Sequence, residues 1–202
     1  MRFGVHIKKR IKVIGIGGGG NNAINRIMGK DTKFVDFIGI DTDKQDLKGS
    51  KAKKVIRIGK KLTRGLGGGG NLETGRIAAE ESRKEIAQTV CGADVIFIAV
   101  GMGGGIGTGA APVVAGIAKA VGIPVIAVVT TPFSFEGHKR MLQAEAGIAK
   151  LKEECDVLVI IRNDELLADN ISIVDSFKRA DDILKSLCIR EVAELIIHIF
   201  KS

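Results

Sequence analysis

The sequence predicts an α/β protein, with a parallel sheet as its middle layer and helices packed on both faces. Three observations carry this. Short runs rich in Val and Ile recur along the chain without polar alternation, as strands buried on both faces do. Longer segments with helical spacing separate them, the pattern of strand–helix–strand crossovers. Glycine-rich stretches stand where strands should end and helices begin.

In chain order, the apolar runs at 11–16, 34–40, 55–58, 94–100, 124–130 and 156–161 read as strands. Helices are expected at 21–29, 71–89, 109–121 and 138–153, with a short turn near 164–168. A last, long helix should run over 174–200, with no strand after it. No linker or repeat divides the chain, and 202 residues suit one domain, preceded by a flexible basic N-terminus at 1–10.

The first strand runs through Gly15-Ile16-Gly17-Gly18-Gly19-Gly20 into the helix that begins near Asn21. This fits G-x-G-x-x-G, and Asp41 follows the second strand at the distance of a ribose-binding acid, so a dinucleotide site is one reading. Two further glycine loops argue against it. One, at 101–109, follows the fourth strand and opens a helix, with Pro112 expected in its first turn; the other lies at 65–70. A dinucleotide needs one tight phosphate turn. Loops after the first and fourth strands would converge at the carboxyl edge of the sheet, around a polyphosphate. Tight turns that serve packing alone are the competing reading, and it is stronger for 65–70 than for 101–109.

Four segments, GGGGNNAINR (17–26), KLTRGLGGGGN (61–71), GMGGGIGTGAAPV (101–113) and TPFSFEGHKR (131–140), closely resemble the GTP-binding domain of the FtsZ/tubulin family. RND (162–164) and FKRAD (177–181) fit the same family more loosely. The resemblance implies a Rossmann-like, three-layer nucleotide-binding domain ending in a long central helix. It also implies GTP or GDP as ligand, Mg²⁺ alongside the triphosphate, head-to-tail assembly into filaments and a place in cell division. By the same resemblance, Gly18, Gly19, Gly20, Asn21 and Asn22 belong to the first phosphate and ribose loop. Gly104, Gly105, Ile106, Gly107 and Thr108 occupy the signature loop around the terminal phosphates. Thr130 and Pro132 fall on the ribose side, with Glu136 and Arg140 gripping sugar and phosphates. Asn163, Phe177 and Asp181 fall in the guanine pocket. The chemistry is sensible, because a carboxylate accepts from N1–H and the 2-amino group of guanine, which adenine cannot offer. Core packing for Phe177 and a solvated acid for Asp181 are their ordinary alternatives. His138 is read as a surface histidine beside the pocket.

The chain departs from the family pattern at informative places. Ile106 replaces the first threonine of GGGTGTG, so an alkyl group stands where a hydroxyl would donate. Asp41 replaces an asparagine, and a carboxylate beside phosphates repels them unless a cation lies between. The family's NxDxxD loop and second domain have no counterpart within these 202 residues. Nucleotide binding with little turnover by this stretch alone is therefore expected. A GTPase completed by a full-length partner subunit is the alternative, and a dinucleotide-dependent oxidoreductase a third.

Composition trims the remaining classes. Hydrophobic residues make up 45%, which excludes wholesale disorder. Aromatics are 4%, with no Trp or Tyr, so readers that stack bases on rings are disfavoured and no specific nucleic-acid partner is expected. The net charge of +8 is concentrated at the front, where residues 1–64 hold 17 Lys/Arg against 5 Asp/Glu. Such a face can meet polyanions, but lysines flanking strands with no interleaved aromatics read first as a solvated surface. The uncharged stretch 95–118 carries seven glycines and so is not a membrane span. Cys91, Cys155 and Cys188 form no CxxC pair, which suits a reducing compartment, and a cytoplasmic location is expected. Residues Val192, Ala193, Leu195, Ile196, Ile197, Ile199 and Phe200 are apolar around most of a helix, so self-association or partner binding through them is expected, with a frayed tail as the alternative.

Overall fold

The computed structural model describes residues 10–29, 32–167 and 173–187. Six strands form one parallel sheet: β1 (Ile11–Ile16), β2 (Val35–Asp41), β3 (Lys54–Arg57), β4 (Val95–Gly101), β5 (Val125–Thr131) and β6 (Val157–Arg162). Their spatial order is β3-β2-β1-β4-β5-β6. In register, Ile14 lies between Ile38 of β2 and Ile98 of β4.

Strand periodicity builds both faces. Ile11 and Val13 join one core cluster with Phe37 and Phe97, whereas Ile14 and Ile16 join the other with Ile40 and Ile98. The first cluster is covered by α1 (Gly17–Ile27) and α9 (Ile173–Leu187) through Ile24, Ile27, Ala180 and Leu184. The second is covered by α4 (Leu72–Glu81), α5 (Arg83–Val90), α6 (Gly105–Ala120) and α7 (His138–Glu154) through residues such as Ala78, Ile86, Val114 and Leu151. Three short helices, α2 (Lys44–Lys48), α3 (Lys60–Thr63) and α8 (Asn163–Leu167), and a 3₁₀ turn at Ser134–Glu136 lie among the connections. The expected three-layer architecture is thus present.

Several boundaries differ from the sequence reading. The first helix begins at Gly17, not near Asn21, because the glycines wind its first turn instead of forming a loop before it. Likewise α6 begins at Gly105, so Pro112 sits in its second turn, where it removes one helical hydrogen bond. The expected helix 71–89 is broken at Ser82, whose hydroxyl accepts from the N–H of Gly59. For the long last helix, residues 173–187 are helical as α9, and those from 188 onward lie outside the described residues, as do 1–9. Cys188 and the apolar stretch 192–200 are therefore among the residues not described, while Cys91 and Cys155 are free thiols.

Strand order fixes where a site can form. The chain leaves β1 toward β2 and β3, then returns to β4 on the other side of β1. Connections therefore diverge at the carboxyl ends of β1 and β4 and leave a crevice between them.

Candidate functional site

Two cavities meet at this crevice. The first, of about 200 Å³, is walled by Gly17, Gly18 and Gly19 of α1 and by Gly104, Gly105, Ile106 and Gly107 at the start of α6. Gly67 and Gly68 close it from the third glycine loop. Two helices of eleven and sixteen residues thus aim their N-termini at one space. Unpaired amides and the positive ends of both dipoles favour an oxyanion there.

The glycines divide by physical role. A Cβ on Gly20 would collide with the Ala99 carbonyl oxygen of β4, so this residue lets α1 press against the sheet. A Cβ on Gly18 would meet only an Asp46 carboxylate oxygen at 3.5 Å, an ordinary contact, and Gly18 faces the cavity. Gly17 has φ of +70°, which favours glycine. Asn21 is 3% exposed, and its amide donates to the carbonyls of Gly17 (3.0 Å) and Ile40 (3.1 Å), tying the first turn of α1 to β2. Thr108 is buried, and its hydroxyl accepts from the N–H of Gly103 at 2.8 Å, bracing the signature loop from below.

Asp41, at the end of β2, lines the same cavity with Asp43 and Asp46, and among the described residues no Lys or Arg does. Its Oδ1 accepts from the N–H groups of Thr42 (2.7 Å) and Asp43 (3.1 Å). Its Oδ2 is buried without a partner. Burial pushes the Asp41 carboxyl above the usual range, against those two N–H bonds and with the help of the Asp46 and Asp43 charges.

The second cavity, of about 230 Å³, adjoins the first through Gly19 and Gly101. Asn22, Arg26, Thr130 and Asp181 supply its polar side chains, against Ala99, Val128, Ile161 and Leu184. Asp181 is 7% exposed and sits on α9 directly across from α1. Arg26 Nε donates to its Oδ2, and Arg26 Nη2 to its Oδ1 at 3.0 Å, a two-pronged pair. Burial raises the Asp181 carboxyl, and the Arg26 hydrogen bond and charge oppose that rise. Arg26 escaped the sequence reading. The available signal was its place one turn after Asn22, on the same helix face.

Pro132, Glu136, Arg140 and Asn163 are not among the residues that line these cavities. Pro132 packs against Gly103, where a Cβ would come within 2.5 Å of its ring. Glu136 and Arg140 pair with each other, and the other Glu136 oxygen accepts from the Phe133 N–H at 2.9 Å. Asn163 is buried at the start of α8. Phe177 lies on α9, one turn before Asp181, and its side chain is outside the described residues. A separate groove of about 270 Å³ between α4, α6 and α7 is rimmed by the Arg76–Glu73 and Arg83–Glu80 pairs and lined by Thr108 and Gly109, which follow Gly107 of the first cavity.

Known proteins share this fold. The family model for the tubulin/FtsZ family, GTPase domain, matches residues 10–170. An FtsZ dimer from M. jannaschii, solved empty, superposes with a TM-score of 0.85 at 45% identity, covering 93% of this chain and 55% of that one. CetZ1 from Haloferax volcanii, solved as a GDP-bound monomer, gives 0.77 at 26% identity, covering 88% of this chain and 58% of that one. CetZ2 from the same organism, a GTPγS-bound protofilament, shares the fold with a TM-score of 0.79 at 24% identity and coverage of 91% and 58%. The chain thus spans little more than half the length of these solved relatives. With converging glycine turns at the strand-order switch, and a family match over most of its length, the chain belongs to the tubulin/FtsZ family and carries its GTPase domain.

Proposed function

We propose that the paired cavities bind a guanine nucleotide, polyphosphate in the first and base in the second. One observation carries this: Asp181, buried in the lining of the second cavity, is an acceptor-only group that suits the N1–H and 2-amino edge of guanine. Asn22 and Thr130, at the junction of the cavities, supply polar groups for the ribose. Glu136 and Arg140 hold each other and become available to the sugar and phosphates once their pair opens.

Mg²⁺ is part of this reading, and the residues present fit it. A buried carboxylate oxygen of Asp41 without a hydrogen-bond partner suits a hard cation. When bound, Mg²⁺ would neutralise charge on the polyphosphate. The protein residues hold the phosphates by amides, exclude water with Ile106 and the glycine walls, and orient the base with Asp181.

These 202 residues on their own are expected to turn GTP over slowly, because the family resemblance assigns water activation to acids of a neighbouring subunit. A full-length partner that restored turnover would support a GTPase completed in trans. Self-association, a cytoskeletal role in division and a cytoplasmic location belong to the same reading. Among the described residues, no helix is long and apolar enough to cross a membrane. Light scattering over a dilution series tests association, and a strictly monomeric protein at every concentration would remove it. The function itself is tested by extracting nucleotide from the purified protein and titrating GDP, ADP and NAD. Equal affinity for GDP and ADP would refute it.

A further inference from the structure

The first cavity poses an electrostatic problem that its glycines do not solve. A polyphosphate entering it meets Asp41, Asp43 and Asp46 and, among the described residues, no basic side chain. Asp41 is the most committed of the three, at 3% exposure, with Oδ1 spent on two backbone N–H groups and Oδ2 enclosed without a partner. An anionic oxygen left so is costly, and a phosphate placed beside it adds repulsion to desolvation.

Ile106 sharpens the problem. A Cβ on Gly68 would overlap its Cδ1, so the alkyl chain lies against the third glycine loop and closes that wall. Where a threonine would offer an O–H, this wall offers hydrocarbon, so phosphate oxygens on that side find fewer donors. Repulsion from the acids and the shortage of donors have one common remedy, a divalent cation. Mg²⁺ is held by one or two carboxylates together with substrate phosphates, and it keeps several waters. Among the described residues, no three acidic, His or Cys groups converge into a site able to hold a metal by themselves. The cation must therefore arrive with the phosphates.

We propose that Asp41 makes nucleotide binding in this chain conditional on a divalent cation, which bridges the Asp41 carboxylate and the polyphosphate. This rests on the guanine-nucleotide reading and adds a requirement to it. Asp41 acts as the sensor: with the cation present it is a ligand anchor, and without it a repulsive wall. An asparagine there keeps the side-chain turn to Thr42 and Asp43 but carries no charge.

The test is GDP titration by calorimetry in Mg²⁺ and in EDTA, on the native chain and on Asp41→Asn. Native affinity should fall about 10- to 100-fold in EDTA, the size of an unpaired buried charge. Asp41→Asn should bind about equally in both buffers and more tightly than native in EDTA. As a second readout, free Mn²⁺ followed by paramagnetic resonance should be taken up with GDP by the native chain and less by Asp41→Asn. Native binding that ignores EDTA overturns the proposal while leaving the guanine reading intact. Failure of both proteins to bind GDP in Mg²⁺ overturns both.

Discussion

The Arg26 guanidinium of α1 holds both carboxylate oxygens of Asp181 on α9, across the cavity proposed for the base. A guanine that reads Asp181 through both oxygens must share or displace this partner. The empty protein is therefore stabilised by a contact that the ligand loosens.

Arg26→Ala is expected to lower the melting temperature of the empty protein, by the equivalent of about 1 kcal/mol. The Arg26 side chain is 43% exposed and that of Asp181 10% exposed, so solvent screens part of the pair. Because GDP would then supply the missing donors to Asp181, the GDP-induced rise in melting temperature should be larger in the variant. Thermal scans with and without GDP measure both. An equal ligand-induced rise in the two proteins would show that Arg26 does not compete with the base.

Base choice should depend on pH through Asp181. Its folded pKa is raised, chiefly by burial, so the carboxylate that accepts from guanine is lost on acidification sooner than from an ordinary aspartate. The GDP-to-ADP affinity ratio, in which phosphate titration cancels, should stay high above the folded pKa and fall as the pH drops through it. Asp181→Ala should reduce the ratio by about 10- to 100-fold at neutral pH. The linkage runs the other way for stability. An acid with a raised folded pKa contributes most below its unfolded value and loses that contribution as the pH rises through the folded one. Competition titrations over a pH series decide the point, and a flat ratio would remove Asp181 from base reading.

Two glycines of one run should behave differently. Gly20→Ala places a methyl into the Ala99 carbonyl and is expected to destabilise by about 3 kcal/mol or more. Gly18→Ala meets no obstacle closer than 3.5 Å and gains helix propensity, so stability should hold or rise slightly. Its methyl enters the phosphate cavity, so GDP affinity should fall. Chemical denaturation with nucleotide titration separates these outcomes, and unchanged affinity in Gly18→Ala would place the phosphates elsewhere.

Ile106→Thr should raise affinity for GTP more than for GDP, by roughly 5- to 10-fold for the added charge-assisted donor. Turnover should change little, since the hydroxyl supplies a binding contact and no water-activating group. Nucleotide competition and phosphate release read the two effects. A large gain in turnover without tighter GTP binding would contradict the assignment of this wall to the terminal phosphate.

The strands, their burial on two faces and the glycine turns at their ends were legible in the amino-acid order. Those features are written locally: apolar runs without alternation mark buried strands, and glycine tolerates the turns and close approaches. The 11–16 run became β1 with the same limits, and the family was legible from its glycine loops. Helix starts were misplaced at Gly17 and Gly105, because a helix whose first turn is glycine carries no periodic signal. The packing of the folded chain settled which glycines pack and which line a cavity, since that depends on what stands opposite, such as Ala99 facing Gly20. It also decided that Asp181, 155 positions after Arg26, meets it across the base cavity, and that Asp41 keeps one oxygen without a partner. Pairings of this kind arise when two helices pack on one face of a sheet, and no local pattern encodes the meeting of residues so far apart in the chain.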